Sequence, residues 1–191
     1  PEMNLARSIK EWGTPQYSNG YICRNPNRND QMHHYDMNLC YTDELLWHFN
    51  WTGDLAYARK MWPVLVRHLD WEKRNFDPDN DGLYDAYACI WASDALYYNS
   101  GAVTHSSAYN YRANKMAAEI ARLIGEDPTP YALEAAQILK AMNEQLWIPS
   151  KGHWAEFQDF MGKKKLHESA AVWTIYHAID SDIHNPFQGY Q

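Results

Sequence analysis

Nothing in these 191 residues resembles a disulfide framework or a zinc motif: cysteine occurs three times, at Cys23, Cys40 and Cys89, widely spaced and without a C-x-x-C pair. Basic runs are equally scarce. Lys163, Lys164 and Lys165 form one cluster in a chain of net charge -7, so the field that draws a protein to nucleic acid is missing. No apolar run reaches the roughly 18 residues of a membrane span. No Gly-rich phosphate loop and no G-x-S-x-G elbow occurs, and no cofactor is read from the chain. These absences leave a single-domain reading, residues 1–191, with no nucleic acid and no membrane as partner.

What is abundant is aromatic. Nine Trp and fourteen Tyr outnumber five Phe. Flat rings with polar tips fill cores, and they also suit stacking against sugar rings.

The apolar period from Asp54 onward is helical. Leu55, Ala58, Met61, Trp62, Leu65 and Leu69 fall on one face, as do Tyr109, Ala113, Met116, Ala117, Ile120, Ala121 and Ile124, the latter stopping at Gly125. Ala135, Ile138, Leu139, Met142 and Leu146 make a third stripe. These three helices read as amphipathic and outer. Asp36–Phe49 and His167–Ile179 carry apolar residues on nearly every side and read as inner helices. Proline is expected only near helix starts, Pro63 and Pro128–Pro130 included. A weak repeat relates Trp51–Trp71 to Leu123–Trp147, each followed by a Gly-plus-aromatic loop. The fold class is therefore all-α, built of helical hairpins whose long loops gather on one face.

"DPDNDG" sets Asp77, Asp79, Asp81 and Gly82 at the first, third, fifth and sixth places of a calcium loop. The twelfth place, which needs a bidentate glutamate, is Ala88, so the stretch is read as a tight turn and no metal site is assigned. His33 and His34 are adjacent and cannot share a helical face, which excludes an H-E-x-x-H site. With Asp36 and Asn38, they serve capping, core or hydroxyl binding.

After the turn comes a long aromatic loop, Gly82 to His105, with Ser106 or Ser107 expected to cap the following helix. It carries Tyr84, Asp85, Tyr87, Trp91, Asp94, Tyr97, Tyr98 and Asn99. Sugar hydrolysis needs a carboxylic acid in a desolvating setting and a second carboxylate facing it. Asp94, three residues after Trp91, meets the first requirement; Asp85 is its rival, and either could instead clasp a turn or pair with Arg112. Within the chain the best candidate for the second carboxylate is Glu156 in "GHWAEFQDF", flanked by Trp154 and Phe157, with Asp159 as understudy; otherwise Glu156 orders sugar hydroxyls or stays solvated. His105, Arg112 and His34 are either sugar ligands or helix-end partners.

The run from Asp81 to Asp127 resembles the helix–loop–helix of the six-hairpin (α/α)6 glycosidases, the clan of glucoamylase, trehalase, the processing α-glucosidases and bacterial α-L-rhamnosidases. "HHYDMNL", "IWASDAL", "THSSAYNYRAN" and "WTIYHAIDS" resemble, more narrowly, a bacterial domain of polysaccharide-degrading proteins. The resemblance implies part of an (α/α)6 toroid acting on a carbohydrate, with Asp94 as general acid. Trp91 with Tyr97 or Tyr98 would line the sugar subsite, and Asp85, His105, Arg112, Trp154 and His34 would bind substrate. About half of the twelve helices are visible, so the remainder of the toroid is the expected partner. A periplasmic or secreted bacterial location is implied by the resemblance alone. The alternative function is a non-catalytic carbohydrate-binding or structural helical domain within a larger enzyme.

Overall fold

The computed structural model describes residues 7, 16–22, 35–86, 101–169 and 171–191. Its main helices are α1 (Tyr35–Thr52), α2 (Leu55–Phe76), α3 (Thr104–Ile124), α4 (Thr129–Ala141), α5 (Val172–Asp180) and α6 (Pro186–Tyr190). Among the described residues, five two-residue strands punctuate the loops: β1 (Ala102–Val103), β2 (Trp147–Ile148), β3 (His153–Trp154), β4 (Phe157–Gln158) and β5 (Leu166–His167).

Local chemistry sets the helix ends. The Asp54 side chain accepts hydrogen bonds from the N–H groups of Ala56 and Tyr57 and so starts α2. Gly125, left-handed at φ 88°, ends α3, its N–H donating to the Ala121 carbonyl. Along α2 the buried residues are Ala58, Met61, Leu65, His68, Leu69, Trp71 and Glu72, which is the expected stripe extended by polar members. Full burial of a side chain such as Leu65 stabilises the fold by about 1.5–3 kcal/mol.

The tertiary structure revises several expectations. Pro63 lies inside α2, not at its start; the position is exposed, so water can serve the carbonyl that a proline leaves without an N–H. The helix α3 is buried on almost every side from Thr104 to Ala121, because α1, α2, α4 and α5 all pack on it. It is therefore the central inner helix, not an outer one. Ser106 and Ser107 do not cap it. The helix begins at Thr104, and the Ser107 hydroxyl instead accepts the Tyr84 N–H at 2.9 Å. His167 and Glu168 do not open an inner helix. His167 belongs to β5, and α5 starts only at Val172, after an extended Ala171.

Around α3 the apolar clusters divide between the two sides. Leu45, Leu46, Phe49, Met61, Leu65, Met116 and Ile120 join α1, α2 and α3. Leu83, Tyr84, Ile138, Met142, Leu146, Trp154 and Ala178 join the loops to α4 and α5. The predicted all-α class stands, with α1, α3 and α5 as inner helices and α2 and α4 as outer ones.

Candidate functional site

The loops at one end of the helices are tied by a small antiparallel sheet. Asp85 bridges Ala102, Ala102 pairs with Gln158, and Gln158 pairs with Leu166. Residues opposed in register share a face, so these four form one row. The Val103 N–H donates to the Tyr84 carbonyl at 3.1 Å, and the Ala86 N–H to the Gly101 carbonyl at 3.1 Å. Gly101 is needed there: at φ 81°, an added Cβ would stand 2.2 Å from the Gln158 carbonyl oxygen.

Glu156 immediately precedes β4. Its carbonyl accepts the Thr104 N–H at 3.1 Å, and its own N–H donates to the His167 carbonyl at 2.9 Å. The residue is 3% exposed, and its carboxylate accepts a hydrogen bond from the Ser169 hydroxyl at 3.0 Å. Its understudy Asp159 meets His167 Nε2 at 2.8 Å, and the His167 ring stacks on Phe157 with centroids 4.0 Å apart.

Asp85 is 5% exposed. Burial first, and then the negative fields of Asp79, Asp81 and Asp77, push its carboxyl up to about 7, with Lys164 opposing. The Asp77 carboxylate accepts the N–H groups of Asp81 at 3.0 Å and Gly82 at 3.2 Å, so the turn geometry read from "DPDNDG" is present.

Asp94, Trp91, Tyr97, Tyr98 and His34 lie outside the described residues, as do Tyr87 and Asn99. The other expected ligands are placed as follows. Trp154 is 1% exposed and packs edge-on against Trp147 at 4.6 Å, deep in the cluster of Ile138, Met142 and Leu146. Its faces are turned to protein. Arg112 is buried in α3 between two carboxylates, Asp43 of α1 at 2.6 Å and Asp180 of α5. His105 is buried at the start of α3, its ring 6.3 Å from that of His177, and burial lowers its pKa to about 3. It stays neutral at ordinary pH. Asn38, weighed with the histidines, accepts the Ile22 N–H at 2.9 Å, which is a core role.

Sequence reasoning missed Asp43 and Asp180, which hold Arg112, and Glu72, which is fully buried and accepts the Asn110 side-chain N–H at 3.3 Å. The signal for Glu72 was its place three residues after Leu69 on the buried stripe of α2. No comparable signal marks Asp43 or Asp180. Two interhelical cavities, one beside His68 and Asn110 and one beside Tyr57 and Met61, measure about 10 Å³ each. That is room for a water molecule and not for a sugar ring.

Comparison with known proteins places this architecture. In solved structures the chain is similar to a GH78 family rhamnosidase of Bacillus sp. GL1, with TM-score 0.78 and 15% identity over 97% of this chain and 20% of that one. It is also similar to a rhamnosidase from Klebsiella oxytoca with rhamnose bound, at TM-score 0.68 and 15% identity, over 96% of this chain and 35% of that one. A GH63 mannosylglycerate hydrolase from Thermus thermophilus in complex with glucose matches at TM-score 0.76 and 12% identity, over 99% of this chain and 63% of that one. The chain thus spans about a fifth to two thirds of the length of these proteins, and at such identities the likeness is one of fold. No curated protein sequence matches it. The profile of the bacterial alpha-L-rhamnosidase 6 hairpin glycosidase domain matches residues 26–175, most of the chain. This chain belongs to that family of six-hairpin glycosidase domains.

Proposed function

We propose that this domain forms one wall of a glycosidase active site and that cleavage uses carboxylate acid and base chemistry. The observation that carries the reading is the small sheet. β1, which follows residues 87–100 with Trp91 and Asp94 among them, pairs directly with the β4 strand that follows Glu156, and Asp85, which precedes those residues, bridges Ala102 of β1. Two strands far apart in sequence, β1 and β4, thus lie side by side. In this reading Asp94 protonates the leaving oxygen, Trp91 with Tyr97 or Tyr98 offers ring faces to the sugar, and Glu156 is the second carboxylate available within the chain. A hydrolase requires its two carboxyl groups about 5–5.5 Å apart if retaining and about 6.5–9.5 Å if inverting.

The rest of the toroid is the partner in this proposal. Trp51 of α1 is 82% exposed and Val172 of α5 is 82% exposed, with Trp47, Tyr176 and Ile179 exposed beside them. These apolar residues lie on the two inner helices that flank α3, where further helical hairpins of the same fold would cover them. A base contributed by those hairpins would serve in place of Glu156.

The test is Asp94→Asn in the longer protein that contains the domain, assayed on a panel of oligosaccharides headed by an aryl α-L-rhamnoside, with circular dichroism as a check on folding. Turnover is expected to fall by about 10²-fold or more, the scale of general-acid catalysis. A folded variant with unchanged turnover removes Asp94 from the mechanism. Binding without turnover by the unmutated protein would favour the second reading, a carbohydrate-binding or structural domain, which the inward-facing Trp154 favours.

A further inference from the structure

The backbone of Ala155 and Glu156 is held from three separate stretches of chain. The Ala155 N–H donates to the carbonyl of Leu146, just before β2, at 2.8 Å, and the Glu156 N–H donates to that of His167 in β5 at 2.9 Å. Thr104, the first residue of α3, takes both remaining groups. Its hydroxyl donates to the Ala155 carbonyl at 2.6 Å and its N–H to the Glu156 carbonyl at 3.1 Å. Thr104 and Ala155 are both fully buried. With every backbone polar group of the pair bonded, the direction in which the Glu156 side chain leaves the chain is fixed in advance.

The carboxylate is held separately. Ser169, two residues beyond β5 and itself exposed, donates its hydroxyl to Glu156 Oε2 at 3.0 Å. A glutamate that is 3% exposed thus meets, at its charged end, a residue of the surface. Burying a carboxylate and ordering its side chain both oppose folding. Neither is required by the pairing of β4 with β5, whose hydrogen bonds are made by backbone alone. A catalytic carboxylate does require both, because a misplacement of about 1 Å costs about 10²-fold in rate.

We propose that Ser169 and Thr104 are positioning residues for Glu156: Ser169 sets the rotation of its carboxylate, and Thr104 sets the backbone that carries it. The inference rests on the reading of Glu156 as the second carboxylate. The hydroxyl of Ser169 acts on Glu156 and not on the sugar, so its loss is expected in kcat and not in KM.

Steady-state kinetics of the longer protein that contains the domain, on an aryl α-L-rhamnoside and the same oligosaccharide panel, test this, with circular dichroism as the check on folding. Glu156→Gln is expected to lower kcat by about 10²-fold or more. Ser169→Ala is expected to lower kcat by about tenfold at unchanged KM, and Ser169→Thr, which keeps the hydroxyl, to recover most of it. Thr104→Val lowers kcat, and Thr104→Ser retains it. Ser169→Ala added to Glu156→Gln brings no further loss, since a positioning residue has nothing left to position. A normal kcat in Ser169→Ala, a loss confined to KM, a Ser169→Thr variant no better than alanine, or additive losses in the double variant would overturn the positioning role and leave the glycosidase reading in place. Unchanged turnover in Glu156→Gln beside an impaired Asp94→Asn would remove Glu156, and this inference with it, in favour of a base from the further hairpins. No turnover by the unmutated protein on any of these substrates overturns both.

Discussion

The guanidinium of Arg112 and the carboxylate of Asp43 meet at 2.6 Å between α3 and α1, while the other arm of the same guanidinium holds Asp180 of α5. One side chain thus links the three inner helices. Its plane also lies over the Tyr109 ring, 5.3 Å from the centroid.

Removing that link leaves two half-buried carboxylates facing each other. Arg112→Met is expected to lower stability by about 3 kcal/mol, the scale for breaking a buried ion pair from one side. Arg112→Lys recovers only a part, since an ammonium cannot fork to two carboxylates on different helices. Urea unfolding with an unchanged slope reads both values. A loss below about 1 kcal/mol for the methionine variant would mean that the pairs behave as surface pairs.

Acid is expected to weaken the fold through its buried histidines. Burial lowers the pKa of His68 to about 3 and of His105 to about 3, and together with the Arg112 charge lowers that of His177 to about 4, from 6.5. Between pH 6.5 and about 4 the unfolded chain binds three protons that the folded chain refuses. Asp85 acts in the opposite sense: its folded carboxyl holds a proton from pH 3.8 up to about 7, where the unfolded one does not. Near pH 5 the difference is three minus one, so stability falls by up to about 2.7 kcal/mol per pH unit as pH drops. The check is the urea midpoint at pH 7 and pH 5. A midpoint that rises on acidification would place the histidines in contact with water.

Two left-handed glycines separate conformational cost from steric cost. Gly125→Ala, at φ 88° with nothing within 4 Å of the new Cβ, should cost about 1 kcal/mol. Gly101→Ala meets the Gln158 carbonyl at 2.2 Å and the Phe160 nitrogen at 2.4 Å, so β1 and β4 must part, at a cost of about 2–4 kcal/mol. Equal losses in the two variants would show that the approach of Gly101 to β4 is not close.

Much of the helical framework was legible, because its signals are local. The stripe of α2, the Gly125 stop and the Asp77 turn each depend on residues close to one another in the chain. The candidate site was legible only in part. Glu156 could be named as a carboxylate among aromatics, but its place beside the strands of the preceding loop depends on pairing Ala102 with Gln158. Two-residue strands carry no period to read. Trp154 illustrates the same limit: its sequence neighbours suit a sugar platform, while the helices around it make it core.

By itself, then, the sequence determined the buried stripe of α2, the Gly125 stop of α3 and the turn that closes α2, since turn chemistry and periodicity act over a few residues. Only the tertiary structure decided that α3 is the central helix, that Arg112 spans to an acid 68 residues away, and that Asp85 is buried where it bridges Ala102. Those outcomes depend on which surfaces exclude water together, and burial is a property of the assembled helices, not of any stretch of chain.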